Sequence, residues 1–182
     1  MEVLLHSCCA PCSAAIIEWM LENDIRPIIF YFNPNIYPEE EYLIRKKECT
    51  RFAVEKGLEI VDGDYDHELW LKYVASLEGE PERGARCLQC FRMRLSAAAE
   101  LAYDRGIKLF TTSLASSRWK DLDQISAAGV WAASQFPDVE FWDKNWRKGG
   151  LSERRRALLK ENKFYNQQYC GCEFSSQNSR NR

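Results

Sequence analysis

Near its N-terminus the chain carries the stretch Val3-Leu4-Leu5-His6-Ser7-Cys8-Cys9-Ala10-Pro11-Cys12, an apolar run that leads straight into three thiols. Val3–Leu5 predicts a buried strand, and the residues after Cys12 predict a helix that is capped by Ser13 and runs to about Asn23. Adjacent cysteines followed by Cys-x-x-Cys spacing suit soft-metal ligation or thiol exchange better than core packing. The stretch therefore predicts a strand, a turn that carries chemistry, and a helix.

Strand and helix patterns alternate along the rest of the chain. Strands are predicted at 27–32, 58–61, 107–112 and 139–141, and helices near 39–57, 69–73, 87–104, 122–134 and 152–162. This alternation indicates right-handed crossovers, so the predicted fold class is α/β, with a Rossmann-like parallel sheet of about five strands flanked by helices. Ligands of such folds bind at the carboxyl ends of the strands, where the cysteine turn lies.

Length and composition set the broad class of protein. The 182 residues, 46% hydrophobic and 13% aromatic, predict a single packed domain over 1–175, followed by a flexible tail over 176–182. The first apolar run stops at His6, too short for a signal peptide, and no stretch is long enough to span a membrane. We therefore expect a cytoplasmic protein, in which paired thiols serve metal binding or transient redox chemistry.

A second thiol pair, Cys87 and Cys90, opens a predicted helix. Together with the first cysteines it supplies the four thiolates that a tetrahedral zinc ion or an iron–sulfur cluster requires. A cluster is favoured over zinc because the two pairs do not form matching zinc knuckles on hairpins. Cys12 remains open as a ligand, a nucleophile or a packed residue, whereas Cys49 lies on an apolar helix face and is predicted to be a core residue.

A third cysteine pair, Cys170-Gly171-Cys172, lies near the C-terminus. A disulfide across one intervening residue closes a small strained ring, and strained disulfides are the easily reduced kind, so we favour a redox pair. Two extra metal ligands are the alternative. After the third strand, Asp64 or Asp66 is a candidate acid, base or metal ligand because of its position at the end of a strand.

A basic segment suggests a nucleic-acid partner. Between Lys144 and Lys163 eight cations face two carboxylates, a net charge of +6 in a chain whose total is −2. Aromatic residues are interleaved with them, and this mixture suits phosphate contacts with base stacking. The alternative is an ordinary solvated helix face. The predicted nucleic-acid contacts are Lys144, Arg147, Lys148, Arg154, Arg155 and Arg156.

Five motifs give the sequence a family likeness. They are Cys8-Cys9-Ala10-Pro11-Cys12, Arg86-Cys87-Leu88-Gln89-Cys90-Phe91, Thr111–Leu114 with Ser117–Asp121, Phe141–Lys148, and Tyr169-Cys170-Gly171-Cys172. The sequence resembles the QueH family of epoxyqueuosine reductases from residue 3 to residue 175, with no departure in the cysteine frame. The family is similar to the adenine-nucleotide hydrolase-like branch of Rossmann-type folds. The glycine-rich loop of ATP-using relatives is absent, which argues against nucleotide activation.

The resemblance implies the last step of queuosine synthesis, in which the epoxide oxygen of epoxyqueuosine in the tRNA anticodon loop is removed. By the same resemblance, Cys8, Cys9, Cys87 and Cys90 hold a [4Fe-4S] cluster, and Cys170 with Cys172 forms a redox-active disulfide. The implied partners are tRNA carrying epoxyqueuosine and an external electron donor.

A second metal and two other functions are further hypotheses. Cys12, with the C-terminal cysteines and an aspartate such as Asp64, would hold a mononuclear iron that weakens the C–O bond of the epoxide. The alternatives are an iron–sulfur-dependent tRNA-thiolating enzyme and a zinc-stabilised RNA-binding module. The missing nucleotide loop speaks against the first, and the spare Cys-x-Cys pair against the second.

Overall fold

The computed structural model describes residues 1–175 and contains one five-stranded sheet. The strands are β1 (Glu2–His6), β2 (Arg26–Tyr31), β3 (Ile60–Asp62), β4 (Leu109–Thr112) and β5 (Glu140–Phe141). Their order is β3-β2-β1-β4-β5, and every neighbouring pair is parallel. The predicted α/β class with a Rossmann-like parallel sheet is confirmed. The predicted tail over 176–182 lies outside the described residues.

Six α-helices flank the sheet. They are α1 (Ala10–Glu22), α2 (Glu39–Glu55), α3 (His67–Tyr73), α4 (Ala85–Asp104), α5 (Leu122–Ala133) and α6 (Leu151–Glu161). Helix α1 packs against α2 and α6, and α4 packs against α3 and α5. Within residues 1–175, none of the helices combines the length and the apolar character that crossing a bilayer requires.

The central strand explains why the N-terminal stretch decides the fold. Val3, Leu4 and Leu5 have no solvent-exposed surface, since β1 has a neighbouring strand on each side and helices above and below. A strand buried on both faces reads as a continuous apolar run, as this one does. The first helix begins four residues earlier than predicted. Cys9, not Ser13, is its N-cap residue.

The reason for this correction is local. Pro11 lies in the first turn of α1, where its fixed φ angle and missing N–H are tolerated. The Ser13 hydroxyl donates a hydrogen bond of 2.8 Å back to the Cys9 carbonyl, inside the helix instead of capping it. The cysteine turn is consequently very short, and Cys12 lies in the first turn of the helix.

The strand order places a topological switch point between β1 and β4. From β1 the chain continues to β2 and β3 on one side of the sheet, and it later returns to β4 and β5 on the other. Loops that leave the two central strands diverge there and open a crevice, which is where ligands of open α/β sheets bind. The loop after β1 is the cysteine turn, and the loop after β4 runs through Ser113 to Lys120. Both loops therefore border the expected binding site.

Candidate functional site

The cysteine turn forms a compact group of buried thiols. The sulfurs of Cys8, Cys9 and Cys12 lie within 4.8 Å of one another, and those of Cys8 and Cys9 are 3.8 Å apart. Four thiolates around one ion at a metal–sulfur distance of about 2.3 Å would be separated by about 3.8 Å. Among residues 1–175, this is the group of three or more metal-ligating side chains with that spacing. The donor set therefore fits a soft metal centre.

Each sulfur of this group is contacted by a different segment of the chain. Cys8 accepts a hydrogen bond of 3.3 Å from Ser113 after β4, and Cys9 accepts one of 2.8 Å from the side-chain amide of Gln167. Arg155 on α6 approaches the Cys12 sulfur at 3.8 Å and donates to the Pro11 carbonyl at 3.1 Å. Residues from three distant parts of the sequence thus fix the thiols in place.

The local electrostatics divide the three thiols. Hydrogen bonds from the thiols of Cys12 and Cys9 hold the pKa of Cys8 well below its usual value, and nearby cations act in the same direction. Burial raises the pKa of Cys9, and the hydrogen bond to Cys8 raises that of Cys12. The three thiols are therefore not equivalent, and Cys8 is the one whose ionised form the surroundings favour most.

The second pair lies in the first two turns of α4. Cys87 is half-buried and accepts a hydrogen bond of 3.3 Å from the Arg83 backbone, while Cys90 is buried beside Arg94. Burial raises the pKa of Cys87 to about 11. Both residues lie outside the compact group at the cysteine turn. That position is compatible with a cluster, because its four ligands bind different iron atoms, unlike the ligands of a single ion.

The third pair connects the first two. Cys172 packs with Cys90 and Trp70 in a small apolar cluster, and burial raises its pKa to about 12. Burial also acts to raise the pKa of Cys170, but Lys120 and Arg94 outweigh it, so this pKa lies below its usual value. All eight cysteines are free thiols in this structure. The redox pairing of Cys170 with Cys172 stays a prediction.

A cavity of about 250 Å³, here called the thiol cavity, has Cys87 and Cys170 in its wall. Its other lining residues include the rings of Phe91, Trp119 and Tyr169, the polar residues Asp121 and Gln124, and Lys120. A narrow gap shares Lys120 and Cys170 with this cavity and reaches Cys8 and Cys12. Each of the three cysteine groups therefore contributes to the wall of at least one of two adjoining spaces, and Lys120 and Cys170 line both.

Lys120 is buried between these thiols. Burial by itself would lower its pKa, but the neighbouring Cys170, Cys8 and Cys12 raise it, so the side chain is a cation at neutral pH. Sequence reasoning did not assign a role to Lys120, Arg94 or Gln167. Arg94 carried one usable signal, since it follows Cys90 by four residues and therefore lies on the same helix face. Lys120 and Gln167 carried none, because only the fold brings them to the thiols.

Asp64 and the two histidines lie in different surroundings. Asp64 is exposed and lies outside the compact thiol group. His67, the first residue of α3, contacts the Pro34 carbonyl and the Glu173 carboxylate at 2.7 Å each. His6 bonds Thr112 and the Phe32 carbonyl, and burial lowers its pKa to about 3, so it is a neutral structural residue.

The predicted basic segment is divided by the structure into cations with different surroundings. Lys144 lies 4.3 Å from the ring centre of Trp19, in a group that also contains Trp142 and Trp146. Arg154 is paired with Glu18 and Glu161. Lys148 is exposed, and Arg156 is exposed with a long contact of 3.3 Å to Glu153.

Two of the predicted cations and two of the aromatic rings contact other parts of the protein and do not face solvent openly. Arg147 donates to the carbonyls of Ser117 and Lys120, and Arg155 is turned towards Cys12. Trp146 and Phe164 are core residues and are closed to base stacking in this conformation.

Comparison with known proteins gives one consistent result. The family model described as "Epoxyqueuosine reductase QueH" matches residues 3–178. A protein of that name from Acinetobacter baylyi is 48% identical over 96% of this chain and 80% of its own length. Its namesake from Haemophilus influenzae is 48% identical over 98% and 73% of the two chains, and that from Thermotoga maritima 34% over 95% and 89%.

Proposed function

Because this chain belongs to the epoxyqueuosine reductase QueH family, we propose that it reduces the epoxide of epoxyqueuosine in tRNA to the cyclopentene ring of queuosine. This reaction is the last step of queuosine synthesis, and the enzyme is accordingly an oxidoreductase. The alternatives of a thiolating enzyme and of a zinc-stabilised RNA-binding module have no support among the relatives, which carry the reductase name.

The observation that carries the proposal is that four thiols, drawn from all three cysteine groups, line two adjoining spaces. A cavity with room for a ligand has Cys87 and Cys170 in its wall, and the gap beside Cys170 and Lys120 leads to Cys8 and Cys12. A purely structural metal site would need four of these thiols and no adjoining cavity. Redox-capable sulfur and a substrate-sized space in one place are what a reductase requires.

The electrons and protons balance with the C-terminal dithiol as a store. Converting an epoxide to an alkene takes two electrons and two protons, and the oxygen leaves as water. Oxidation of Cys170 and Cys172 to a disulfide releases two electrons and two protons. An external donor, which we propose as a second partner, then returns the pair to the dithiol form.

A [4Fe-4S] cluster is the cofactor that we propose for Cys8, Cys9, Cys87 and Cys90. When bound, it supplies electrons one at a time. The free thiols at the cysteine turn and the Cys-x-x-Cys pair of α4 form the soft donor set that such a cluster takes.

A second, mononuclear iron remains a narrower proposal. Cys12 lies beside Cys8 and Cys9 and is already in place as a donor. Asp64 is exposed and outside that group, so it would have to move closer to share an ion with Cys12. The two predicted ligands therefore differ in how much rearrangement they need.

The protein's own residues position the substrate. Tyr169 offers its ring to a base in the thiol cavity, and the side-chain oxygen of Gln124 has no hydrogen-bond partner within residues 1–175, which leaves an acceptor for a base N–H group. The Lys120 ammonium group would stabilise negative charge on the oxygen as the C–O bond breaks. The target base lies in an unpaired loop, so extruding it costs little.

The tRNA backbone is proposed to bind the cations predicted from the sequence. These are Lys144, Arg147, Lys148, Arg154, Arg155 and Arg156. Arg156 is the best placed of them, because it is exposed on α6 and lines a second cavity together with Trp119.

The first test separates the cofactor from the fold. The protein is purified without oxygen, and iron, sulfide and the visible spectrum are compared among wild type, a Cys87→Ala/Cys90→Ala variant and a Cys49→Ala control. Cys49 is a buried cysteine that is hydrogen-bonded to Ser7 and packed in the core, so its loss should leave iron and colour unchanged. Loss of both signals in the double variant alone is expected.

The second test addresses the reaction. Epoxyqueuosine-containing tRNA is incubated with the anaerobic protein and a chemical reductant, and its nucleosides are analysed by mass spectrometry. The expected product has lost one oxygen atom from the modified nucleoside. A protein that carries zinc without labile sulfide and leaves the nucleoside unchanged would instead support the RNA-binding module.

A further inference from the structure

A second cavity, here called the arginine cavity, shares Trp119 with the thiol cavity but contains no cysteine among the described residues of its lining. Its volume is about 290 Å³, slightly larger than that of the thiol cavity. Trp119 lines both spaces. Two cavities of similar size that share a tryptophan could each hold one flat ring of a ligand that has two neighbouring rings.

The lining of the arginine cavity is strongly cationic. It contains Arg118, Arg147, Arg155 and Arg156, and no carboxylate belongs to it among the residues that the structure describes. Within the described part of the chain, Arg156 forms one ion pair, with the exposed Glu153 at 3.3 Å, and exposed pairs of this kind are weak. Arg156 is therefore available to an anion. Phosphate is the anion that occurs beside flat rings in a nucleic acid.

Trp119 differs from the other five tryptophans. Trp19, Trp142 and Trp146 form one aromatic group, Trp70 stacks with His67 and Phe174, and Arg92 lies over Trp131. Trp119 is 38% exposed and has no ring or cation partner within residues 1–175. A large unpartnered ring between two cavities is the form that a base-stacking platform takes.

The loop that carries Trp119 is held in place by its backbone. Arg83 donates to the carbonyls of Arg118 and Trp119, at 2.9 and 3.1 Å. Arg147 donates to the carbonyls of Ser117 and Lys120. Four consecutive carbonyls are thus bound by two arginines, which leaves the side chains of Arg118 and Trp119 directed to ligands. A platform fixed in this way loses little conformational entropy when a ligand binds.

Gln167 adds a polar handle to this cavity. It is buried, its amide nitrogen donates to the Cys9 sulfur, and its side-chain oxygen has no partner among the described residues. Buried polar atoms are rarely left unpaired, so an orphaned oxygen in the wall of a cavity indicates a ligand or a water that completes it. The same residue touches both the thiol group and the arginine cavity.

We propose that the arginine cavity is a subsite for the nucleotide next to epoxyqueuosine in the RNA chain. The neighbouring base stacks on Trp119, and the phosphate that links the two nucleotides binds Arg118 and Arg156. This inference rests on the proposed function, since the thiol cavity must take the modified base. It identifies the recognised part of the substrate as a dinucleotide segment of a single-stranded loop. A free nucleoside lacks the second base and the phosphate, so the enzyme should bind RNA in preference to the free nucleoside.

The test measures binding, so that it does not depend on turnover. Fluorescence anisotropy gives the affinity of wild type and a Trp119→Ala variant for a labelled RNA hairpin that carries epoxyqueuosine in its loop. The measurement is repeated with hairpins that have an abasic residue on the 5′ side, on the 3′ side or at the modified position. Trp131→Ala is the matched control, since Trp131 is 39% exposed and lines neither cavity.

We expect Trp119→Ala to weaken binding by about tenfold, as for the loss of one base–aromatic stack, and Trp119→Phe to recover most of this. One flanking abasic hairpin should weaken wild-type binding equally and leave the Trp119→Ala variant unaffected, because the two changes remove the same contact. Arg156→Ala should reduce the salt dependence of binding by about one phosphate contact. Trp131→Ala should bind as wild type.

The subsite is overturned if Trp119→Ala and each of the two flanking abasic sites weaken binding additively. It is also overturned if the effect of Trp119→Ala on binding is non-additive only with the abasic site at the modified position. In the second case Trp119 stacks on the modified base itself. Failure of the proposed function has a different signature. The wild-type protein would bind the hairpin with the expected non-additivity and leave its epoxide intact.

Discussion

The cysteine turn and the C-terminal segment carry similar thiols but are built differently. Cys8, Cys9 and Cys12 lie between the central strand and the first turn of α1, and all three are buried. The segment with Cys170 and Cys172 follows α6 without a strand or helix of its own up to residue 172. It is held to the body of the protein by side chains and by a backbone bond of 2.8 Å from Tyr37 to the Gly171 carbonyl.

The difference separates a ligand site from a redox pair. Thiols in the frame of a sheet keep their positions whether or not they are bound, which suits metal ligands. Thiols on a segment without regular structure are able to shift as they pair and separate, which suits a dithiol. Arg45 is the main contact of that segment, since its guanidinium donates to the carbonyls of Tyr169 and Cys170 at 3.1 Å each and pairs with Glu41.

The largest expected effect is on the metal. Cys9→Ala should reduce bound iron to background, since it removes a ligand from the compact group, whereas Cys172→Ala should retain iron close to the wild-type amount. Iron and sulfide analysis of anaerobically purified proteins measures both. Equal loss in the two variants would show that the C-terminal segment also supplies ligands and would end the distinction between the regions.

Turnover is expected to be the next most affected property. Cys170→Ser and Cys172→Ser should each reduce multiple-turnover reduction of epoxyqueuosine to the same residual rate, and the double variant should be no slower than either. The reason is that two thiols form a single redox couple, so losing one loses the store. Rates that fall stepwise from the single to the double variant would contradict a shared couple.

The attachment of the C-terminal segment to the rest of the protein is predicted to depend on Arg45. Arg45→Met leaves the buried Glu41 carboxylate without its cation, which should lower the free energy of unfolding by about 3–5 kcal/mol. Arg51→Met on the same helix is the control. It removes a partly exposed pair with Glu48 and Glu55, and its cost should stay within about 1 kcal/mol. Urea unfolding compares the two, and equal midpoints would show that Arg45 does not fasten the segment.

The smallest predicted effect concerns Gly171, whose φ angle is +114°. A Cβ atom there would lie 3.0 Å from both the Arg45 guanidinium and Ile36, so Gly171→Ala should cost about 1–3 kcal/mol. Gly106→Ala is the control, because Gly106 also has a positive φ angle, +67°, but nothing lies near its added Cβ. The cost of Gly171→Ala should exceed that of Gly106→Ala, and thermal unfolding would show an equal cost if the close approach were relieved without strain.

Much of the fold was predictable because local sequence patterns determine its strands and helices. The five strands and six helices follow from apolar runs, helical periodicity and helix-ending glycines such as Gly57. The start of α1 was wrong because the first-turn preference of Pro11 outweighed the capping preference of Ser13.

The chemistry of the site was likewise predictable only in part from the sequence. The sequence by itself determined which residues are able to carry redox or metal chemistry, since closely spaced cysteines suit metal ligation or thiol exchange better than core packing. It also indicated that the cysteine turn lies at the carboxyl end of the first strand. The net charge of +6 between Lys144 and Lys163 predicted a polyanionic partner.

Only the tertiary structure decided how those residues are used. It directed Arg155 to Cys12 and Arg154 to Glu18, although both stand in one run of arginines. It also buried Lys120 between thiols that lie far from it in the sequence and left Trp119 unpartnered between two cavities. The physical reason is that local patterns fix which face of an element is apolar, whereas the environment of a side chain depends on which distant segments the packing of the sheet and helices brings beside it.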